Sequence, residues 1–210
     1  MTTEPSPYHR RVAEQKRAAI IEAATRLFLD AGYAGTSLAK VAEAAGVSKA
    51  TLFKQFPTKA ALFDAIVTES WTVEDDDLRP PTGDLRAGLT AIGRRYVTLL
   101  TRPGIAALFR IVIAELQHFP ELGEAHFERG KMPYFDSVRR YLDTENALGT
   151  AELDDTELAA TQFLGMISNY VFWPRMLLVN WSPDDASMAH VVDEAVLMME
   201  ARYGAANTTD

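Results

Sequence analysis

Lys49, Ala50 and Thr51 stand directly behind Ser48 in the run Gly46-Val47-Ser48-Lys49-Ala50-Thr51. One long cation, one small residue and one methyl-plus-hydroxyl at the first turn of a helix are side chains that can face base edges in a DNA major groove. That chemistry needs a supporting helix, a tight turn and a second helix that offers its N-terminal residues. Residues 37–56 hold all three in order. Thr36 and Ser37 offer caps to a short helix striped by Leu38, Val41, Ala42 and Ala45, Gly46 permits the turn, Val47 pins it to the core, and Ser48 caps the reading helix. Leu52, Phe53 and Phe56 are assigned inward.

Other groups could do different chemistry. Glu115 and His118 are three residues apart, the Glu-x-x-His spacing of di-iron helix bundles. Such a site needs a second Glu-x-x-His and two more glutamates from facing helices, and no second copy occurs in the sequence. A polar pair at a helix end is the reading kept: no metal, no cofactor and no enzyme are expected, with a helical metal-dependent enzyme as the alternative. Asp75 to Asp77 read as a solvated acidic linker in preference to a cation site. Phe163, Met166, Tyr170 and Trp173, with Phe109, His118 and Phe127, are candidates for the wall of a pocket for a flat or amphipathic ligand, although such residues at helical spacing also fill cores.

The elements that must position these groups are helical throughout. Ala18, Ile21, Ala24 and Phe28 recur at helical spacing from Glu14 to Asp30, with Gly32 as terminator. Phe56-Pro57 closes the reading helix, and Thr58 caps a fourth helix from Lys59 to about Ser70. Leu85, Leu89, Ile92, Tyr96 and Leu99 form one later stripe, and Ile105, Leu108, Phe109, Val112 and Leu116 form another. Gly130 and Pro133 should kink or split the pattern from Glu121 to Leu142. Asp154 with Glu157 offers a capping box for a long apolar helix, and Ser182-Pro183 offers the start of the last. The expected fold is all-α with about nine helices: a flexible arm over 1–13, a helix-turn-helix DNA-binding domain over 14–70, a connection over 71–84, a ligand-binding and dimerisation domain over 85–204, and a disordered tail over 205–210.

Cysteine is absent, which excludes disulfides and thiolate metal sites, and the expectation is a cytoplasmic protein with no membrane association. The net charge of −8 argues at first against nucleic acid. The average hides an asymmetry: residues 1–70 carry nine Lys/Arg against seven Asp/Glu, so the remaining residues carry twelve against twenty-two. DNA, if touched, is touched by the first part.

The stretch RAAIIEAATRLFLDAGYAGTSLAKVAEAAGVSKATLFKQFPTKAALFDAI resembles the DNA-binding domain of the TetR family of transcriptional regulators. The match runs through Ala24, Leu27-Phe28, Gly32-Tyr33, Thr36-Ser37, the Val41 to Ser48 turn, Thr51-Leu52-Phe53, Phe56 and Lys59. Residues Arg110 to Gly130 resemble the regulatory region of the AefR-like branch. The resemblance implies a homodimeric repressor on a palindromic double-stranded operator, released by a small-molecule effector of unknown identity, with a ligand-dependent activator or corepressor-type regulator as the alternative. It implies phosphate or groove-edge roles for Thr36, Ser37, Ser48, Lys54, Gln55 and Lys59, and base-facing roles for Lys49, Ala50 and Thr51. It also implies that the last two helices pair across a twofold axis, with Leu164, Ile167, Val171, Val192, Val196 and Met199 as candidate interface. Phe53 departs from the family's usual tyrosine and has no hydroxyl to offer a phosphate.

Overall fold

The protein is described from a computed structural model covering residues 7–72, 79–178 and 180–205. Asp75 to Asp77, with their linker and cation readings, lie outside the described residues, as does most of the expected tail. The all-α expectation holds. In chain order the helices are α1 (Pro7–Gly35), α2 (Leu38–Ala44), α3 (Lys49–Gln55), α4 (Lys59–Trp71), α5 (Leu85–Thr101), α6 (Ile105–Glu115), α7 (Pro120–Glu124), a π-helical segment (Ala125–Lys131), α8 (Met132–Leu148), α9 (Thr156–Val171), α10 (Trp173–Leu177) and α11 (Asp185–Tyr203). The short α7 and α10 are the elements beyond the nine expected. No single helix among the described residues is long and apolar enough to cross a membrane.

Several boundaries moved, each for a local reason. The segment expected to be a flexible arm over 1–13 is already helical from Pro7, and α1 runs on to Gly35 with one break at Gly32. The expected kink near Gly130 and Pro133 is a π-helical turn, with Pro133 in the first turn of α8 where its missing N–H costs nothing. Asp155, not Asp154, caps α9 by accepting from the Leu158 N–H at 2.8 Å. Asp184, not Ser182, caps α11 by accepting from the Ser187 N–H at 2.7 Å, a bond that also holds its carboxyl below the usual aspartate range. Neighbouring polar residues compete for each cap, and the backbone angles at the entry decide which one reaches the orphan N–H.

The chain forms two compact units, Met1–Ser70 with Ala107–Gly130, and Trp71–Ala106 with Lys131–Asp210. The stretch 107–130 therefore sides with the helix-turn-helix segment, which differs from the expected division into 14–70 and 85–204. In the first unit Ile20, Ala24 and Phe28 of α1, Val41 and Ala42 of α2, Leu52 of α3, Phe56, and Leu62, Phe63 and Ile66 of α4 make the core.

In the second unit α5, α9 and α11 pack on one another and α8 packs on α9. A Cβ at Gly93 would lie 2.6 Å from Val192 Cγ1 and 3.3 Å from Ile167 Cδ1 and Phe163 Cζ, so glycine is what lets α5 approach this closely. Phe163, Leu164, Ile167, Val171, Val192, Val196 and Met199 are all buried in this core. Tyr203 O accepts from the Glu152 N–H at 2.8 Å and the Ala205 N–H donates to Thr150 O at 3.2 Å, so Ala205 is tied down.

Glu145 of α8 is fully buried. Its Oε1 accepts from the Gly83 N–H at 3.0 Å, and its Oε2 accepts from the Thr150 hydroxyl at 2.5 Å. It thereby ties the entry of α5 to the turn after α8. Glu145→Ala removes the acceptor of the Gly83 N–H and one of the two acceptors of the Thr150 hydroxyl, which keeps Glu145 O at 3.1 Å, and is expected to lower stability by about 1–3 kcal/mol in urea denaturation.

Candidate nucleic-acid interface

The turn between α2 and α3 closes as a Schellman motif. The Val47 N–H donates to Ala42 O at 3.0 Å and the Gly46 N–H to Glu43 O at 3.1 Å, with Gly46 at φ 65°. Left-handed backbone at that point is what glycine supplies without strain. Ser48 then caps α3: its Oγ accepts from the Thr51 N–H at 3.1 Å and lies 2.9 Å from the Thr51 hydroxyl. Ser37 caps α2 by accepting from the Lys40 N–H at 3.3 Å, and Thr58 caps α4 by accepting from the Ala61 N–H at 3.0 Å. Ser37, Ser48, Lys49, Ala50 and Lys54 are exposed, and Thr51 and Gln55 are half-buried on the same short helix.

Three placements differ from those expected. Thr36 is buried, and its hydroxyl donates to Gly32 O at 2.9 Å and Leu27 O at 3.1 Å, so it closes the end of α1 and leaves Ser37 as the candidate at the start of α2. Phe53 is 48% exposed, because the inward stripe of so short a helix is filled by Leu52, with Phe56 just beyond it. Lys59 directs its Nζ to Tyr33 O at 2.7 Å and Thr36 O at 3.0 Å and lies over the Tyr33 ring at 4.3 Å. Two of its three donors are thus spent inside the fold. Burial holds this amine below the usual lysine value, against the opposing pull of the Glu115 carboxylate. Burial, with the Glu121 and Asp64 carboxylates, pushes the Tyr33 phenol up to about 12.

Glu115 also has a place that sequence spacing missed. Its Oε1 accepts from the Ala34 N–H at 3.2 Å, while Phe119 packs edge-on to Tyr33 with centroids 5.0 Å apart. Arg129 pairs with Asp64 of α4 at 2.6 Å. Nothing in the spacing of Glu115 and His118 announced a partner 81 positions away in sequence. His118 itself is exposed.

The candidate pocket residues are divided between the two units. Phe109, His118 and Phe127 fall in the first unit, where Phe109 packs on the buried His126 ring at 4.0 Å and Phe127 is 51% exposed. In the second unit Phe163 is core, Met166 is half-buried, Tyr170 packs edge-on to Trp181, and Trp173 is 51% exposed. The second unit does hold two adjoining clefts, of about 580 and 520 Å³, which share Arg79, Pro80, Ile92 and Arg95. Tyr134, Ser137 and Arg140 line the first, and Arg94, Thr98 and Arg102 line the second. The Tyr134 ring stacks on Tyr96 at 5.3 Å and its hydroxyl donates to Ile92 O at 3.2 Å.

The proposed interface residues Leu164, Ile167, Val171, Val192, Val196 and Met199 are likewise committed to the protomer's own core, where the stripes of α9 and α11 face α5 and each other. The opposite faces of those two helices carry exposed apolar residues instead: Leu158, Leu197 and Met198 are 43 to 61% exposed.

Two helices joined by a Schellman turn, a capped second helix with exposed Lys49 and Ala50, and a buried apolar support define a helix-turn-helix transcriptional regulator. Residues 20–66 match the family profile described as bacterial regulatory proteins, tetR family, and residues 87–205 match the AefR-like transcriptional repressor C-terminal domain. The chain belongs to the TetR family, and it is a sequence-specific DNA-binding regulator of transcription. Over 195 residues it is 24% identical to an uncharacterized HTH-type transcriptional regulator of Mycobacterium bovis, covering 93% of this chain and 90% of the relative. It is 42% identical to the Escherichia coli HTH-type regulator RutR over 59 residues, 28% of each chain. Among solved structures it is similar to a TetR-family regulator from Mesorhizobium loti, with 28% identity, a TM-score of 0.78 and coverage of 91% of this chain and 98% of that one. The flavonoid-responsive regulator FrrA gives 28% identity, a TM-score of 0.71 and the same coverage.

The Lys59 geometry is open to a direct test. Lys59→Gln is expected to cost about 1–2 kcal/mol in urea denaturation, because two charge-assisted bonds to carbonyls are weakened. Unchanged stability together with weaker DNA binding would assign the amine to phosphate alone.

Proposed function

We propose that the protein is a homodimeric repressor that binds a palindromic operator and is released from it by a small-molecule effector. The observation that carries this reading is the start of α3, where Lys49 and Ala50 are exposed with the half-buried Thr51 beside them, side chains suited to base contacts. Ser37, Ser48, Lys54 and Gln55 flank them as phosphate or groove-edge contacts, with the third donor of Lys59 beside them. Phe53, half-exposed and without a hydroxyl, supplies an apolar contact to sugar edges in place of a phosphate bond. A DNA operator puts the working place of the protein in the bacterial cytoplasm, and a catalytic role has no support, since Glu115 is engaged with Ala34. No group of three or more potential ligands among the described residues could hold a metal ion.

The dimer reading moves from the buried stripes of α9 and α11 to their outward faces. Leu158, Leu197 and Met198 have no role in the protomer core, and two such helices from each chain make a four-helix bundle. The effector reading rests on the two arginine-lined clefts of the second unit. Guanidinium groups beside Tyr134, Ile92 and Leu99 suit an organic anion with an aromatic or apolar body. FrrA is described as flavonoid-responsive. A flat phenolic body fits the same combination of rings and donors.

Titration on duplexes from beside its own gene tests the regulator reading. Affinity should exceed that for random DNA and fall as salt rises, Thr51→Val should change the preferred bases, and aromatic carboxylates should release the complex. Equal affinity for every duplex would overturn it. Met198→Glu should convert the dimer to monomer in light scattering with little change in melting temperature. A dimer that survives the charge would place the interface elsewhere.

A further inference from the structure

Much of the basic surplus of the first unit's N-terminal part lies ahead of the helix-turn-helix. Residues 7–17 carry Arg10, Arg11, Lys16 and Arg17 against Glu14, a net of +3. Residues 18–70 carry five Lys/Arg against five Asp/Glu, a net of zero. Within them residues 37–56 hold Lys40, Lys49 and Lys54 against Glu43; the sequence-independent part of DNA affinity comes from neutralised phosphates, and each further cation near the reading helix adds to it. Four such cations lie on the first turns of α1, ahead of residues 20–66 that match the family's DNA-binding profile.

Geometry aims those turns at the reading helix. Arg17 pairs with Glu69 at 3.4 Å and holds its guanidinium 4.8 Å over the Phe56 ring, which fixes α1 against the end of α3 and the α4 helix. His9, Val12, Ala13, Lys16 and Arg17 recur at helical spacing and, together with the Glu14 carboxylate, form one wall of a cleft of about 590 Å³. The other wall is Thr51, Lys54 and Gln55 of α3. The cleft therefore runs along the flank of the helix that reads bases, with a cation on each side. His9, Arg10, Arg11 and Lys16 are exposed.

We infer that the first three turns of α1 are a second DNA-contacting element, which takes the sugar-phosphate backbone of the strand bordering the groove read by α3. Lys16 and Lys54 face that backbone from opposite walls of the cleft, and Arg10 and Arg11 extend the contact outward. Arg17 acts as a positioning residue through Phe56 and Glu69. The element adds affinity without adding base preference, because every sequence presents the same phosphates.

Because the contact is to phosphate, random-sequence duplex DNA is the probe and no operator need be known. Binding is measured against salt for the full chain, for Arg10→Gln/Arg11→Gln/Lys16→Gln, and for a control with the same charge loss in the second unit, Arg86→Gln/Arg139→Gln/Arg202→Gln. The first variant is expected to lower the slope of log affinity against log salt by about 2–3, near 0.9 per lost phosphate contact, with wild-type melting. The control should leave the slope unchanged. If the triple variant fails to fold, Arg10→Gln and Lys16→Gln alone should each lower the slope by about 1. A wild-type slope in the folded α1 variants, or an equal fall in the control, overturns the inference. A change of base preference in the α1 variants would do so as well, by making the contact a reading one.

Discussion

The first unit hangs on the short turn from Gly32 to Thr36. Several of its carbonyls and N–H groups, left over where α1 ends, are met by side chains. Thr36 closes onto Gly32 O and Leu27 O, Lys59 spans Tyr33 O and Thr36 O, and Glu115 takes the Ala34 N–H. Because Ser37 follows immediately, the direction of α2, and through the Gly46 turn that of α3, depends on how this turn is held. The Lys59 ammonium and the Glu115 carboxylate are both part of the clamp, each drawn to backbone groups that would otherwise lack a partner. The same two side chains attract attention in the sequence for other reasons, one as a phosphate ligand and the other as a metal ligand.

The second unit rests on close helix contact. Gly93 brings α5 against Val192, Ile167 and Phe163, and the burial of side chains that size contributes about 1.5–3 kcal/mol each. That packing uses up the strongest apolar stripes of α9 and α11. What remains exposed is the weaker outward stripe of Leu158, Leu197 and Met198, a division that follows from each helix having two faces and only one inside. The arginines of the two clefts stand out in a segment whose overall balance is acidic.

Charge divides along the chain in a finer way than a +2 head and an acidic remainder. α2 and α3 carry Lys40, Lys49 and Lys54 against Glu43, and a second group of positive residues collects on the turns of α1 that precede them. Specific and unspecific contributions to DNA binding can thus reside on different helices. One is set by the few side chains at the start of α3, and the other by cations that need only be near phosphate.

The helix-turn-helix was legible in the amino-acid sequence because everything that defines it is local. The 3.6-residue stripe, the Gly46 turn and the caps at Ser37, Ser48 and Thr58 involve residues within five positions of one another, and all stand where the spacing puts them. The exposure of Phe53, the burial of Thr36 and the backbone partners of Lys59 were not legible, because their surroundings are set by α1 and by distant chain. The same holds for the aromatic and aliphatic residues of α9 and α11. Their periodicity announces a buried face, yet core, pocket wall and interface present one and the same pattern. Only the tertiary structure, by bringing α5 within contact distance at Gly93 and Glu115 to Ala34 across 81 residues, decided which side chains are spent inside the molecule and which are left to meet a partner.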